Sequence, residues 1–205
     1  MTDATRDRIL DQAAQLFLQY GYKRTTMEDI ASAMGMSKAS LYLRFSSKDD
    51  IFRAVSDRAS QRVLSLMQQV LDSDLAPIPK LHRIFLASLL EIWDFCHQAP
   101  HAPELWLEVL HTLGDNIGAA RESGRQMVAR VITEGQEAGA FSPEIDASQA
   151  ARLLQLAMQA FDVPYTDIDR RDQIETDVPQ LLDLVIHGLR THSCVASVNK
   201  DLQVK

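Results

Sequence analysis

Residues 25–52 read TTMEDIASAMGMSKASLYLRFSSKDDIF, and the spacing of caps, glycine and apolar side chains in this stretch decides the fold. Thr26 stands before Met-Glu-Asp, where its hydroxyl is placed to cap a helix over 27–34. Gly35-Met36-Ser37 reads as a tight turn. Ser37 then caps a third helix over 38–45, and Ser47 a fourth that begins at Lys48. A short helix, a glycine-bearing turn and a second short helix make the helix-turn-helix pattern.

The third helix has two sides. Leu41 and Phe45, one turn apart, face inward against Ile30, Met34 and Phe17, which leaves Lys38, Ala39, Tyr42 and Arg44 on or near the outward arc. A helix that enters the major groove of DNA reads it with residues of this kind. Lys38 has the reach for phosphate or the acceptors of guanine, and the Ala39 methyl suits a thymine methyl. The helix ends capped by Thr26, Ser37 and Ser47 direct backbone N–H groups and positive dipole ends at anions. Lys48 adds a point charge in a first turn, where the dipole disfavours it unless an anion is near.

Outward from this stretch the periodicity stays helical. Ile9, Ala13, Leu16, Phe17 and Tyr20 form one upstream stripe, stopped by Gly21. Downstream, the fourth helix runs to about Leu71, and Pro77 and Pro79 mark a joint. A helix through Ile84–Phe95 is apolar almost all round and reads as central and buried. Helices over 104–113 and 116–138 follow, the second closed by Gly139. Two more carry the stripes Ala147, Ala150, Ala151, Leu154, Ala157, Met158, Phe161 and Val178, Leu181, Leu182, Val185, Ile186, Leu189, joined by a polar connection over 163–172. Apolar residues recur at three and four rather than at two, so the chain is expected to be all-α.

The 205 residues carry a formal charge of −7, unevenly spread. Residues 1–58 hold nine Lys or Arg against eight Asp or Glu, net +1, and the remainder twelve against twenty, net −8. Two parts with different electrostatic tasks are expected. The longest predominantly apolar run, Ile84 to Leu90, is far shorter than the roughly 20 residues a membrane span needs, and no secretory leader is evident. Cys96 and Cys194 lack metal or disulfide-framework spacing, which fits a reducing cytoplasm.

The combination of Thr26, Ile30, Ala31, Gly35, Ser37, Leu41, Tyr42, Phe45, Lys48 and Ile51, preceded by Leu16-Phe-Leu-Gln-Tyr-Gly-Tyr22, resembles the N-terminal domain of TetR-family transcriptional regulators over roughly the first 50 residues. That resemblance implies a homodimer with a three-helix DNA-binding head over 1–50, a helical ligand-binding and dimerisation domain over 51–192, and a loose tail over 193–205. By position it implies that Lys38, Ala39, Tyr42, Leu43 and Arg44 approach the major groove of a double-stranded operator, while Thr26 and Lys48 hold phosphates. Arg44 stands where the family commonly has an aromatic residue or histidine, and Glu28 places an acid in the second helix. The function expected is a cytoplasmic repressor that a small molecule releases from a pseudo-palindromic operator. The alternative is a helical protein-interaction module with secondary DNA binding.

Phe85, Leu89, Trp93, Cys96, Trp106, Leu110 and Met127 are bulky residues of three successive helices and can line an effector pocket, with His97, His111, Glu91 or Asp94 as polar handles; equally they can be core. The dimer contact expected from the resemblance uses Ala150, Leu154, Ala157, Met158, Phe161, Leu182, Val185, Ile186 and Leu189, stripes that can also bury within one chain. His97 and His101 are four apart, but Pro100 breaks the helix that would align them, and no metal or other cofactor is expected. No nucleophile elbow, phosphate loop, dinucleotide fingerprint or zinc signature occurs, so no enzyme is expected.

Overall fold

A computed structural model describes residues 4–112, 114–161 and 171–190, and among them every regular element is helical. The elements are α1 (Ala4–Tyr20), α2 (Met27–Ala33), α3 (Lys38–Tyr42), α4 (Lys48–Leu71), α5 (Pro77–His97), α6 (Ala102–Thr112), α7 (Gly114–Glu137), α8 (Ala147–Met158) and α9 (Arg171–Arg190), with a 3₁₀ turn at Gln159–Phe161. No helix is long and apolar enough to cross a membrane among the described residues. The tail over 193–205 and residues 163–170 of the polar connection lie outside the described residues.

The chain divides into two compact units that are not contiguous in sequence. The first joins residues 1–63 to 92–120 and the second joins 64–91 to 121–205, so α4, α5 and α7 each run through both. Packing builds the first unit. Leu105 and Val109 of α6 are buried with Ile9, Leu10, Ala13 and Phe17 of α1, Ile30 of α2, Leu41, Phe45, and Ile51 and Phe52 of α4. Phe17 lies edge-on to Phe52, with ring centroids 5.7 Å apart. Lys23 reaches Glu108 across 3.5 Å, and Arg58 of α4 reaches Asp11 of α1 across 2.6 Å. Tyr20, expected on the buried stripe, is half exposed; Leu10 is buried in its stead.

In the second unit, Leu81, Ile84, Phe85 and Leu89 form the buried stripe of α5. The residues between them are half-buried or exposed, so this helix is less enclosed than its composition predicts. Lys80 is buried, and its ammonium donates to the Leu71 carbonyl at 2.8 Å and to Glu134 at 2.9 Å, tying the end of α4 to α7. Gln155 of α8 donates to the Arg121 carbonyl of α7 at 3.0 Å. Helices α8 and α9 pack on each other, and Ala150, Ala151, Leu154 and Met158 of α8 and Ile174, Val178, Leu182 and Ile186 of α9 are buried.

Candidate nucleic-acid interface

The turn between α2 and α3 is built by backbone bonds that need one special residue. The Met36 amide donates to the Ala31 carbonyl and the Gly35 amide to the Ser32 carbonyl, both at 3.0 Å. This pair of bonds is the Schellman ending, which requires a left-handed residue after the cap. Gly35 supplies it with φ of 63°. The turn sets α3 off from α2 with Leu41 and Phe45 pointing into the core.

Helix α3 is shorter than the expected 38–45, because Leu43 is its C-cap. The chain still coils beyond it, since the Arg44 and Phe45 amides both donate to the Leu41 carbonyl. Lys38, Ala39, Tyr42, Leu43 and Arg44 are all exposed, and Leu43 stands out at 89%. A leucine this open, next to a tyrosine at 44%, leaves apolar area uncovered on the outward arc. The five residues are thus all open to solvent, whereas Leu41 and Phe45 beside them in sequence are buried.

The anion-binding ends read from the caps are partly filled by the protein itself. The Thr26 hydroxyl accepts from the Asp29 amide at 3.2 Å, and the Asp29 carboxylate accepts from the Thr26 amide at 2.8 Å and from its hydroxyl at 2.7 Å. These bonds, from the hydroxyl first and the amide second, hold the Asp29 carboxyl below the ordinary aspartate range. Ser37 accepts from the Ser40 amide at 3.1 Å. Ser47 accepts from the Asp50 amide at 3.1 Å, and Ser46 donates to the Asp50 carboxylate. A hydrogen bond from Ser46, chiefly, lowers the Asp50 pKa.

Lys48 also differs from the expectation of an ammonium left for an outside anion. Its Nζ turns back, donating to the Tyr22 carbonyl at 2.7 Å and the Thr25 carbonyl at 2.9 Å, and lies 4.3 Å from the centre of the Tyr22 ring. Partial burial lowers its pKa, against the opposing pull of Asp49 and Glu108. Tyr22 donates to Asp49, and burial first, then this bond, raises the phenol pKa. Thr25 is buried and donates to the Gly21 carbonyl at 2.9 Å. Sequence reading missed this latch of Tyr22, Thr25 and Asp49, which joins the loop after α1 to the start of α4. It also missed Arg6, whose guanidinium carbon sits 5.0 Å from the Phe45 ring centre. None of these contacts follows a helical spacing.

The other expected sites are distributed as follows. Phe85 and Leu89 (buried) and Met127 (half-buried) belong to the second unit, whereas Trp93 and Trp106, both half-buried, belong to the first. The Trp93 ring stacks on His97 at 3.8 Å, and its Nε1 is the single buried side-chain polar atom without a hydrogen-bond partner among the described residues. The side chains of Cys96, Leu110 and Leu189 lie outside the described residues. Of the expected dimer contact, Ala150, Leu154, Met158, Leu182 and Ile186 are buried within their own chain, and Ala157, Phe161 and Val185 are half-buried. The open large apolar side chains of these helices, among the described residues, are Leu153 and Leu156 of α8 and Leu184 of α9. Among the described residues, no three His, Cys, Asp or Glu stand close enough to hold a metal ion.

Residues 9–55 match the family model described as bacterial regulatory proteins, tetR family. The chain is 30% identical over 151 residues to the HTH-type transcriptional repressor KstR2 of Mycolicibacterium smegmatis, covering 73% of each chain. It is 27% identical over 200 residues to the HTH-type transcriptional regulator UidR of Escherichia coli, covering 92% of this chain and 94% of that one. In fold it is similar to SmeT, the repressor of the Stenotrophomonas maltophilia multidrug efflux pump SmeDEF, with a TM-score of 0.71, 19% identity, and 94% and 93% of the two chains covered.

Proposed function

The chain belongs to the TetR family of DNA-binding transcriptional regulators rather than to an enzyme family, and from that premise we propose that it is a cytoplasmic homodimeric repressor released from its operator by a small molecule. The observation that carries the reading is the two-sided α3: Leu41 and Phe45 are sunk in the core while Lys38, Ala39, Tyr42, Leu43 and Arg44 stand exposed together. In this reading the five exposed residues enter the major groove, Thr26 and the remaining N–H of Lys48 approach phosphates, and two heads of a dimer read half-sites one helical turn or a multiple apart. Dimerisation runs through α8 and α9, on the faces that carry Leu153, Leu156 and Leu184.

The effector is taken by the helical part beyond the head, with Trp93 as the side chain to touch it. An acceptor oxygen on the effector would satisfy Trp93 Nε1. Release requires the effector to bind the operator-competent state more weakly than the other, because equal affinity shifts nothing. Helix α4, unbroken from Lys48 to Leu71, is the element through which such a shift would reach the head.

The test is selection of bound sequences from random duplex DNA with the purified protein, followed by titration of the winner. A pseudo-palindrome is expected, with specific binding abolished by Tyr42→Ala while the dimer persists. Trp93→Ala is expected to alter the response to effector. No enriched sequence from folded dimer would sink the repressor reading.

A further inference from the structure

One feature of the α3 arc is at odds with binding a polyanion: an acid is bonded to the first base on it. Glu28, in the first turn of α2, accepts a hydrogen bond from the Lys38 ammonium, ten residues on. Both side chains are exposed, at 59% and 50%. The same ammonium lies 5.9 Å from the centre of the Tyr42 ring, so Glu28, Lys38 and Tyr42 form one array. Exposed pairs contribute little to folding, which is a weak reason for a carboxylate here. Its electrostatic cost is plain, since with α3 docked on DNA it would lie near phosphates, and it neutralises Lys38, one of the two cations on the arc with Arg44.

We propose that Glu28 is a positioning residue that sets specificity by withholding Lys38 from phosphates. On DNA of arbitrary sequence, Lys38 can bond a phosphate only by leaving Glu28, so it adds little to counterion release, the source of non-specific affinity. On the operator, base edges in the major groove present acceptors, guanine N7 and O6 or adenine N7, close to donors, the exocyclic amines of cytosine or adenine. There Lys38 and Glu28 both find partners without separating. The carboxylate therefore penalises phosphate-only binding more than it penalises the correct sequence.

This rests on the DNA-reading role of α3, and the experiment separates the two. Wild type, Glu28→Gln, Lys38→Met and the double variant are titrated with the selected operator and with random-sequence duplex of equal length over a range of salt. Glu28→Gln keeps the size of the side chain and removes its charge, and circular dichroism checks that the helices remain. We expect it to tighten random-duplex binding, to steepen the salt dependence by about one phosphate contact per head, and to lower the ratio of operator to random affinity by about tenfold. In the Lys38→Met background the same change should leave the salt slope where it was. An unchanged ratio, or an equal gain in both backgrounds, overturns the inference while leaving α3 as the reader. If the wild type binds neither duplex, the reading beneath it falls as well.

Discussion

At Gly35 a single residue decides whether α3 is presented at all. Its φ of 63° is needed for the Schellman bonds, and an added Cβ would meet nothing within 4 Å, so a substitution costs backbone strain and no clash. Gly35→Ala should therefore lower stability by about 1–2 kcal/mol, with Gly35→Asn milder because asparagine tolerates this region. Urea unfolding of both variants measures it, and equal stability of all three proteins would show that the turn relaxes. Asp29 makes a different prediction. Its pKa is depressed in the folded state, so the capping box contributes fully above the ordinary aspartate value, about pH 4, and that contribution fades as pH falls through the lower folded value. Asp29→Asn should be less stable than wild type at neutral pH, and the two unfolding curves should converge in acid; a gap independent of pH would contradict the linkage. Gly35 and the Thr26 cap were legible in the sequence because caps and glycine turns are local, whereas the Asp29 half of the capping box was not read from it. The Glu28–Lys38 pair and the carbonyls that hold Lys48 were not, since they depend on how helices cross, which no spacing along one helix encodes.

At the scale of the element, α8 and α9 show how far a hydrophobic stripe can be read. Periodicity correctly marks Leu154, Met158, Leu182 and Ile186 as buried. It does not say whether the cover is the same chain or another, and in this fold it is the same chain. The open leucines sit beside that stripe, at 50% for Leu153, 47% for Leu156 and 74% for Leu184. Two classes of variant should then separate. Leu184→Glu places a charge on the open face and should halve the solution mass with helicity retained, because a buried unpaired charge at an interface is costly. Leu182→Ala removes packing inside the chain and should cost about 2–5 kcal/mol of unfolding free energy. Sedimentation and thermal unfolding together distinguish them, and a Leu184→Glu protein that keeps the wild-type mass would remove this face as the dimer contact. The α6 residues Leu105 and Val109 make the same point for the head. Nothing in residues 1–50 announces that part of their core arrives from beyond residue 100.

At the scale of the whole molecule, the puzzle is a chain of net charge −7 that binds a polyanion. Residues 1–58 are near balance at +1, and several of their bases are engaged within the protein: Lys38 by Glu28, Lys48 by two carbonyls, Lys23 by Glu108 and Arg58 by Asp11. Long-range attraction to DNA is therefore slight, and affinity must come from contacts made after docking. Those contacts still displace counterions. If each head neutralises about three to five phosphates, a dimer engages about six to ten, and log K for the operator should fall against log salt with a slope of about −5 to −9. Random duplex should show a much shallower slope, because without base contacts the bases remain with their internal partners. Association rates should lie well below the electrostatically steered range and change little with salt, so the dependence should sit in dissociation. Stopped-flow binding at two salt concentrations tests this division. An association rate that rises steeply as salt is lowered would mean that the acidic remainder, net −8, does not offset the field of the heads, and that recognition begins with steering rather than with geometry.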